Sequence, residues 1–133
     1  SIAVQRGAAL FASNDDASYP APDGVTWPGA GAILAALEVA TGSTAEVFGK
    51  PNPPILRAAL ERAGGGRPLV IGDRVVTDIE GARRVGWDSA LVLTGISTRE
   101  DLRTSGLEAT YVLDDLSGLV TDRGAVAGTP RLC

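Results

Sequence analysis

From residue 54 onward the chain alternates helical stretches with three compact apolar runs, in "RPLVIGD" (67–73), "SALVLTG" (89–95) and "ATYVLDDL" (109–116). A strand that is apolar on successive residues needs cover on both faces, which a parallel sheet wrapped by helices supplies. The order helix, strand, helix, strand, helix, strand then makes each connection a crossover. The spacing therefore predicts an α/β fold with a Rossmann-like parallel sheet flanked by helices.

Local signals place the remaining elements. "GAALFAS" (7–13) predicts a buried strand, and the polar cluster "SNDDASYPAPDG" (13–24) a long loop after it. "PGAGAILAALEVATG" (28–42) predicts a helix with Ile33, Leu34, Leu37 and Ala40 or Thr41 inward and Gly42 as its C-terminal stop. A second helix is expected from about Pro53 to Ala63, with Ile55, Leu56, Ala59 and Leu60 on one face, ended by Gly64 to Gly66. "TDIEGARRVG" (77–86) predicts a short helix opening on Thr77 or Asp78. Ser97 and Glu100 stand in capping-box spacing, so another helix is expected there. The polar stretch 121–133 is expected to fray as a tail.

At 133 residues the chain accommodates one domain, or one domain and part of another. A net charge of -4 and scattered charges of both signs argue against a nucleic-acid partner. No apolar run reaches the roughly 18 to 20 residues of a membrane span, and the N-terminus has no basic-then-apolar leader, so a soluble, cytoplasmic protein is expected. Histidine is absent and Cys133 is the one cysteine, which excludes Ser-His and Cys-His nucleophiles, His-based zinc sites and internal disulfides. Chemistry must come from carboxylates, Lys, Arg, hydroxyls, backbone amides or a hard metal ion. Methionine is also absent, even at position 1, so a processed chain or a piece of a longer one is expected.

Ligands of open parallel sheets bind beyond the carboxyl ends of the strands. Asp73 stands at that end of "LVIG", and Asp78 falls near the start of the next helix, where backbone amides favour anions. Together they could hold a hard cation, Asp73 binding it and Asp78 orienting the loop or a bound water. The alternative is that Asp78 or Thr77 is only an N-cap. Lys50, bracketed by Gly49 and Pro51, could neutralise a phosphate or carboxylate, or be an ordinary solvated loop lysine. "GAGAIL" is a poor dinucleotide fingerprint, since Leu34 replaces the third small residue and no apolar strand precedes it, so packing explains it better. Asp15-Asp16 and Asp114-Asp115 read as solvated loop charges.

The segments "FASNDDASYP", "PGAGAILAALEVATG", "GKPNPPILRAAL", "LVIGDRVVTDIEGARRVGWDSALVLTG" and "TYVLDDLSGL" together resemble the haloacid dehalogenase superfamily, over about residues 5 to 120. Within it the chain is similar to the sugar-phosphatase and 4-nitrophenylphosphatase branch, which carries a large α/β cap. The resemblance implies Mg²⁺-dependent phosphoryl transfer from a small phosphorylated metabolite to an aspartate, then hydrolysis of the aspartyl-phosphate. It implies that Lys50 holds the nucleophile and the phosphoryl oxygens, that Asp73 binds the metal and that Asp78 supports the metal shell. Asn14 matches a cap-side Thr-Asn segment that shapes the substrate pocket, although Ser13 departs from the usual threonine. Val76 occupies a position where many relatives carry an acid or polar residue.

The family's nucleophile and general acid lie in an Asp-x-Asp element, and no two aspartates of this chain have that spacing. The resemblance thus implies a C-terminal portion: 1–48 the end of the cap, 49–120 the second half of the core, 121–133 the tail. Such a portion is expected to be inactive alone and, with an unpaired sheet edge, to associate with further copies. The competing expectation is a non-catalytic α/β binding module whose carboxylates are only caps.

Overall fold

The computed structural model describes residues 1–120; the tail 121–133, with Cys133 and the expected fraying, lies outside the described residues. The chain divides into two compact units, residues 1–55 and the part from Leu56 onward.

The first unit opens with a short helix, α1 (Ile2–Gln5), and strand β1 (Phe11–Ala12). The predicted buried strand 7–13 is thus reduced to two residues, and Phe11 remains 58% exposed. Among the described residues it pairs with one equally short strand: β4 (Glu46–Val47) runs parallel to it, Phe11 beside Glu46. The Phe11 ring meets Phe48 edge-to-face, with centroids 5.5 Å apart. Between them the expected loop contains an antiparallel hairpin, β2 (Ser18–Pro20) with β3 (Thr26–Pro28). Prolines at 20 and 28 mask its alternation, and the edge-to-face contact of Tyr19 on Trp27, centroids 5.9 Å apart, supports it instead.

Helix α2 (Ala30–Thr41) follows, and Gly42 ends it at φ 68° with its N–H on the Glu38 carbonyl. Leu34 is buried and Leu37 and Thr41 half-buried, whereas Ile33, expected inward, lies one turn-angle off that stripe and is exposed. The glycines of "GAGAIL" serve packing: a Cβ on Gly29 or Gly31 would strike the backbone of Asp16 or Asp15. The first turn accordingly receives carbonyls, with Gly31 N–H on Asp16 O at 2.8 Å. Helix α3 (Pro53–Arg62) runs from the first unit into the second, with Leu56 buried but Ile55 exposed.

The second unit is the predicted parallel sheet. Strands β5 (Leu69–Gly72), β6 (Asp88–Val92) and β7 (Tyr111–Leu113) lie in the order β5-β6-β7, all parallel. The central β6 is covered on both faces, as its apolar sequence requires. Leu91 packs with Val75 and Ile79 on one side, and Ala90 and Val92 with Leu113 on the other. Full burial of Leu91 and Ile79 contributes about 2 to 3 kcal/mol each.

The helix after β5 starts earlier than expected. Arg74 is extended, a π-helical turn spans Val75–Ile79, and α4 (Glu80–Val85) continues it to Gly86. Helix α5 (Arg99–Ser105) also differs by one residue. Its capping box is Thr98 with Asp101, and Thr98 has the extended backbone of an N-cap. Glu100 instead pairs with Arg103. The Asp114-Asp115 pair is not merely solvated: Asp114 pairs with Arg99 at 3.0 Å, and Asp115 accepts the Ser117 N–H at 2.7 Å and caps a final 3-10 turn. Among the described residues no helix is long and apolar enough to cross a membrane.

Arg83 and Arg84 hydrogen-bond Glu80 and hold its carboxyl down to about 2, from an ordinary 4.5. A depressed carboxylate stabilises the fold above its unfolded pKa, and the contribution disappears as pH falls through the folded value. Because both guanidinium groups are solvent-exposed, it amounts to less than about 1 kcal/mol. Urea unfolding of Glu80→Gln should therefore match wild type near pH 2 and fall slightly below it above pH 4.5.

Candidate functional site

Parallel strands end side by side, so the loops leaving β5 and β6 meet at one edge of the sheet. The β5 loop carries both predicted acids. Asp73 is half-buried, with Oδ2 accepting the Ile96 N–H at 2.9 Å and its backbone carbonyl accepting the Ser97 N–H at 2.9 Å. Among the described residues its Oδ1 accepts no hydrogen bond, which leaves one oxygen for a ligand.

Asp78 is only 3% exposed. Its Oδ2 accepts the Arg74 N–H at 3.0 Å, so its side chain turns back to the start of the turn. This bond runs back four residues, one more than a capping box spans, and the N-cap position is Arg74 rather than the Asp78 or Thr77 of the alternative reading. Its burial as a short acid is possible because it folds over a glycine: a Cβ on Gly72 would overlap the Asp78 carboxyl. Asp73 is accommodated likewise, since a Cβ on Gly95 would overlap its carboxyl.

Two other candidates lie together in the first unit. Phe48 N–H bonds the Ala12 carbonyl at 2.9 Å, carrying the β1/β4 pairing to the ends of both strands. Just beyond, the buried Gly49 packs so closely on the Ser13 carbonyl that no Cβ would fit. The Asn14 backbone lies against the same glycine, and Lys50, exposed and joined to Pro51 by a cis peptide, is the next residue. Asn14 Oδ1 accepts the Asp16 N–H at 3.2 Å, which closes a local turn.

These donors suit a hard cation. Carboxylate oxygens without histidine or cysteine match Mg²⁺ or Ca²⁺, and Mg²⁺ commonly keeps several waters while taking only one or two carboxylates. Among the described residues no cluster of three or more acids, histidines or cysteines forms a complete cage. Two carboxylates on one loop fit that partial shell.

The HAD-hydrolase-like family profile matches residues 47–119, more than half of the sequence. The chain belongs to the HAD-hydrolase-like family. It is 38% identical over 132 residues to the D-glycerol 3-phosphate phosphatase of Mycobacterium tuberculosis, covering 98% of this chain and 37% of that protein. It is 37% identical over 123 residues to the acid sugar phosphatase of Staphylococcus aureus, covering 91% of this chain and 47% of that one. The crystal structure of the mycobacterial glycerol phosphate phosphatase in complex with magnesium superposes with a TM-score of 0.82 at 38% identity, over 98% of this chain and 40% of that chain. A calcium complex of the same phosphatase superposes at 0.84. The chain thus spans less than half the length of the phosphatases it matches.

Within this HAD chain Asp73 and Asp78 follow the same strand, β5, while Asn14 and Lys50 follow the two paired strands β1 and β4. Sequence reasoning misses Gly95, Ile96 and Ser97, which hold Asp73. The available signal is Gly95 closing an apolar strand, as Gly72 does ahead of Asp73. Gly95→Ala should force the Asp73 side chain off the Ile96 N–H and destabilise the second unit by about 1 to 3 kcal/mol. Urea unfolding measures the loss, and the Ile96 amide resonance should move most.

Proposed function

We propose that this chain is the C-terminal portion of a Mg²⁺-dependent phosphatase of small phosphorylated metabolites that works through an aspartyl-phosphate. The observation carrying this reading is the family match together with two carboxylates seated on glycines at the end of a parallel strand. Relatives named for glycerol phosphate and acid sugars favour a small phosphomonoester as substrate.

In this reading Asp73 offers Oδ1 to the metal, while Asp78 holds the loop by its bond to Arg74. Bound Mg²⁺ supplies positive charge to the phosphoryl oxygens. Lys50 adds a second positive charge for the same oxygens and for the nucleophile, and phosphoryl transfer depends on such charge neutralisation. Asn14 lines the substrate pocket from the cap side. Residues 1–48 are then the end of the cap and 49–120 the second half of the core. The nucleophile and general acid belong to an Asp-x-Asp element outside these residues.

Two outcomes are expected. The chain alone, given 4-nitrophenyl phosphate and Mg²⁺, should give no turnover, and the reading frame upstream of Ser1 should encode Asp-x-Asp. Turnover by the chain that Asp73→Asn abolishes would place the nucleophile within these residues and defeat this division of labour.

A further inference from the structure

The turn that opens after Arg74 has no side-chain N-cap of its own, yet its first amides need acceptors. Asp78 serves the Arg74 N–H. Ser97, from the loop after β6, serves the next: its Oγ accepts the Val75 N–H at 3.1 Å across 22 residues of sequence. The same residue donates its N–H to the Asp73 carbonyl. With Ile96 N–H on Asp73 Oδ2, the segment Asp73–Val75 is held at both ends by two consecutive residues of another loop.

We propose that Ser97 is a positioning residue, setting the direction in which Asp73 presents Oδ1 to a divalent cation. This rests on the reading of Asp73 as a Mg²⁺ ligand. Ser97 is available for this work because the capping box of α5 is completed by Thr98 and Asp101 without it. Val75 is 2% exposed, so removing the hydroxyl takes from a buried amide the acceptor it has here. The loop can then recover a partner only by shifting toward water, which carries Asp73 off line. Residues that hold metal ligands in place typically contribute 10- to 100-fold in affinity.

The test is a Mg²⁺ titration of the full 133-residue chain, following the backbone amide resonances of Val75, Ile96 and Ser97. Wild type should show a saturable response that Asp73→Asn abolishes. Ser97→Ala should require about 10- to 100-fold more Mg²⁺. Ser97→Thr, which keeps the hydroxyl, should restore the wild-type midpoint, while unchanged β6 and β7 resonances report an intact sheet. Ser97→Cys, of similar size but a weak acceptor, serves as second variant and should fall between. Wild-type affinity in Ser97→Ala, or a Ser97→Thr as weak as alanine, overturns the positioning role while leaving Asp73 as ligand. A saturable response that survives Asp73→Asn, or no response in wild type, overturns the metal reading itself and this inference with it.

Discussion

The parallel register of β5 on β6 is the constraint on which the candidate site depends. Gly72 lies opposite Leu91, so both strands end at nearly one level and their loops leave the sheet as neighbours. A slip of one residue would turn Leu91 away from Val75 and Ile79 and expose it to the opposite face. Packing on both faces of β6 thus does more than stabilise the sheet. It sets where the amides of Ile96 and Ser97 stand relative to Asp73.

Glycine is the second recurring device. Gly72 makes room for Asp78, Gly95 for Asp73 and Gly49 for the Ser13 carbonyl, while Gly29 and Gly31 admit the Asp15–Asp16 backbone. None of these contacts needs a left-handed backbone; each needs the missing Cβ. At the β5 loop the result is two short acids brought inward, each accepting a backbone N–H. Amide donors settle a carboxylate without cancelling its charge, which preserves its attraction for a cation.

Much of the second unit is legible in the sequence. Uninterrupted apolar runs imply strands buried on both faces, hence a parallel sheet, and the strand ends then single out Asp73 and Asp78. The first unit is less legible. Prolines hide the β2–β3 hairpin, and alanine-rich residues around Phe11 suggest more strand than a two-residue ladder supports. The helix after β5 opens earlier than its polar residues suggest because Arg74, not Thr77, has the extended backbone of a cap.

Sequence by itself determined the succession of strands, the glycines at the strand ends and the acids that follow them, since periodicity and turn chemistry are local properties. Tertiary structure alone decided the partners of those acids: Ile96 and Ser97 for Asp73, and a reversed side chain on Arg74 for Asp78. The contacts to Asp73 join loops more than twenty residues apart, and sheet register rather than any local propensity brings such groups within hydrogen-bond reach.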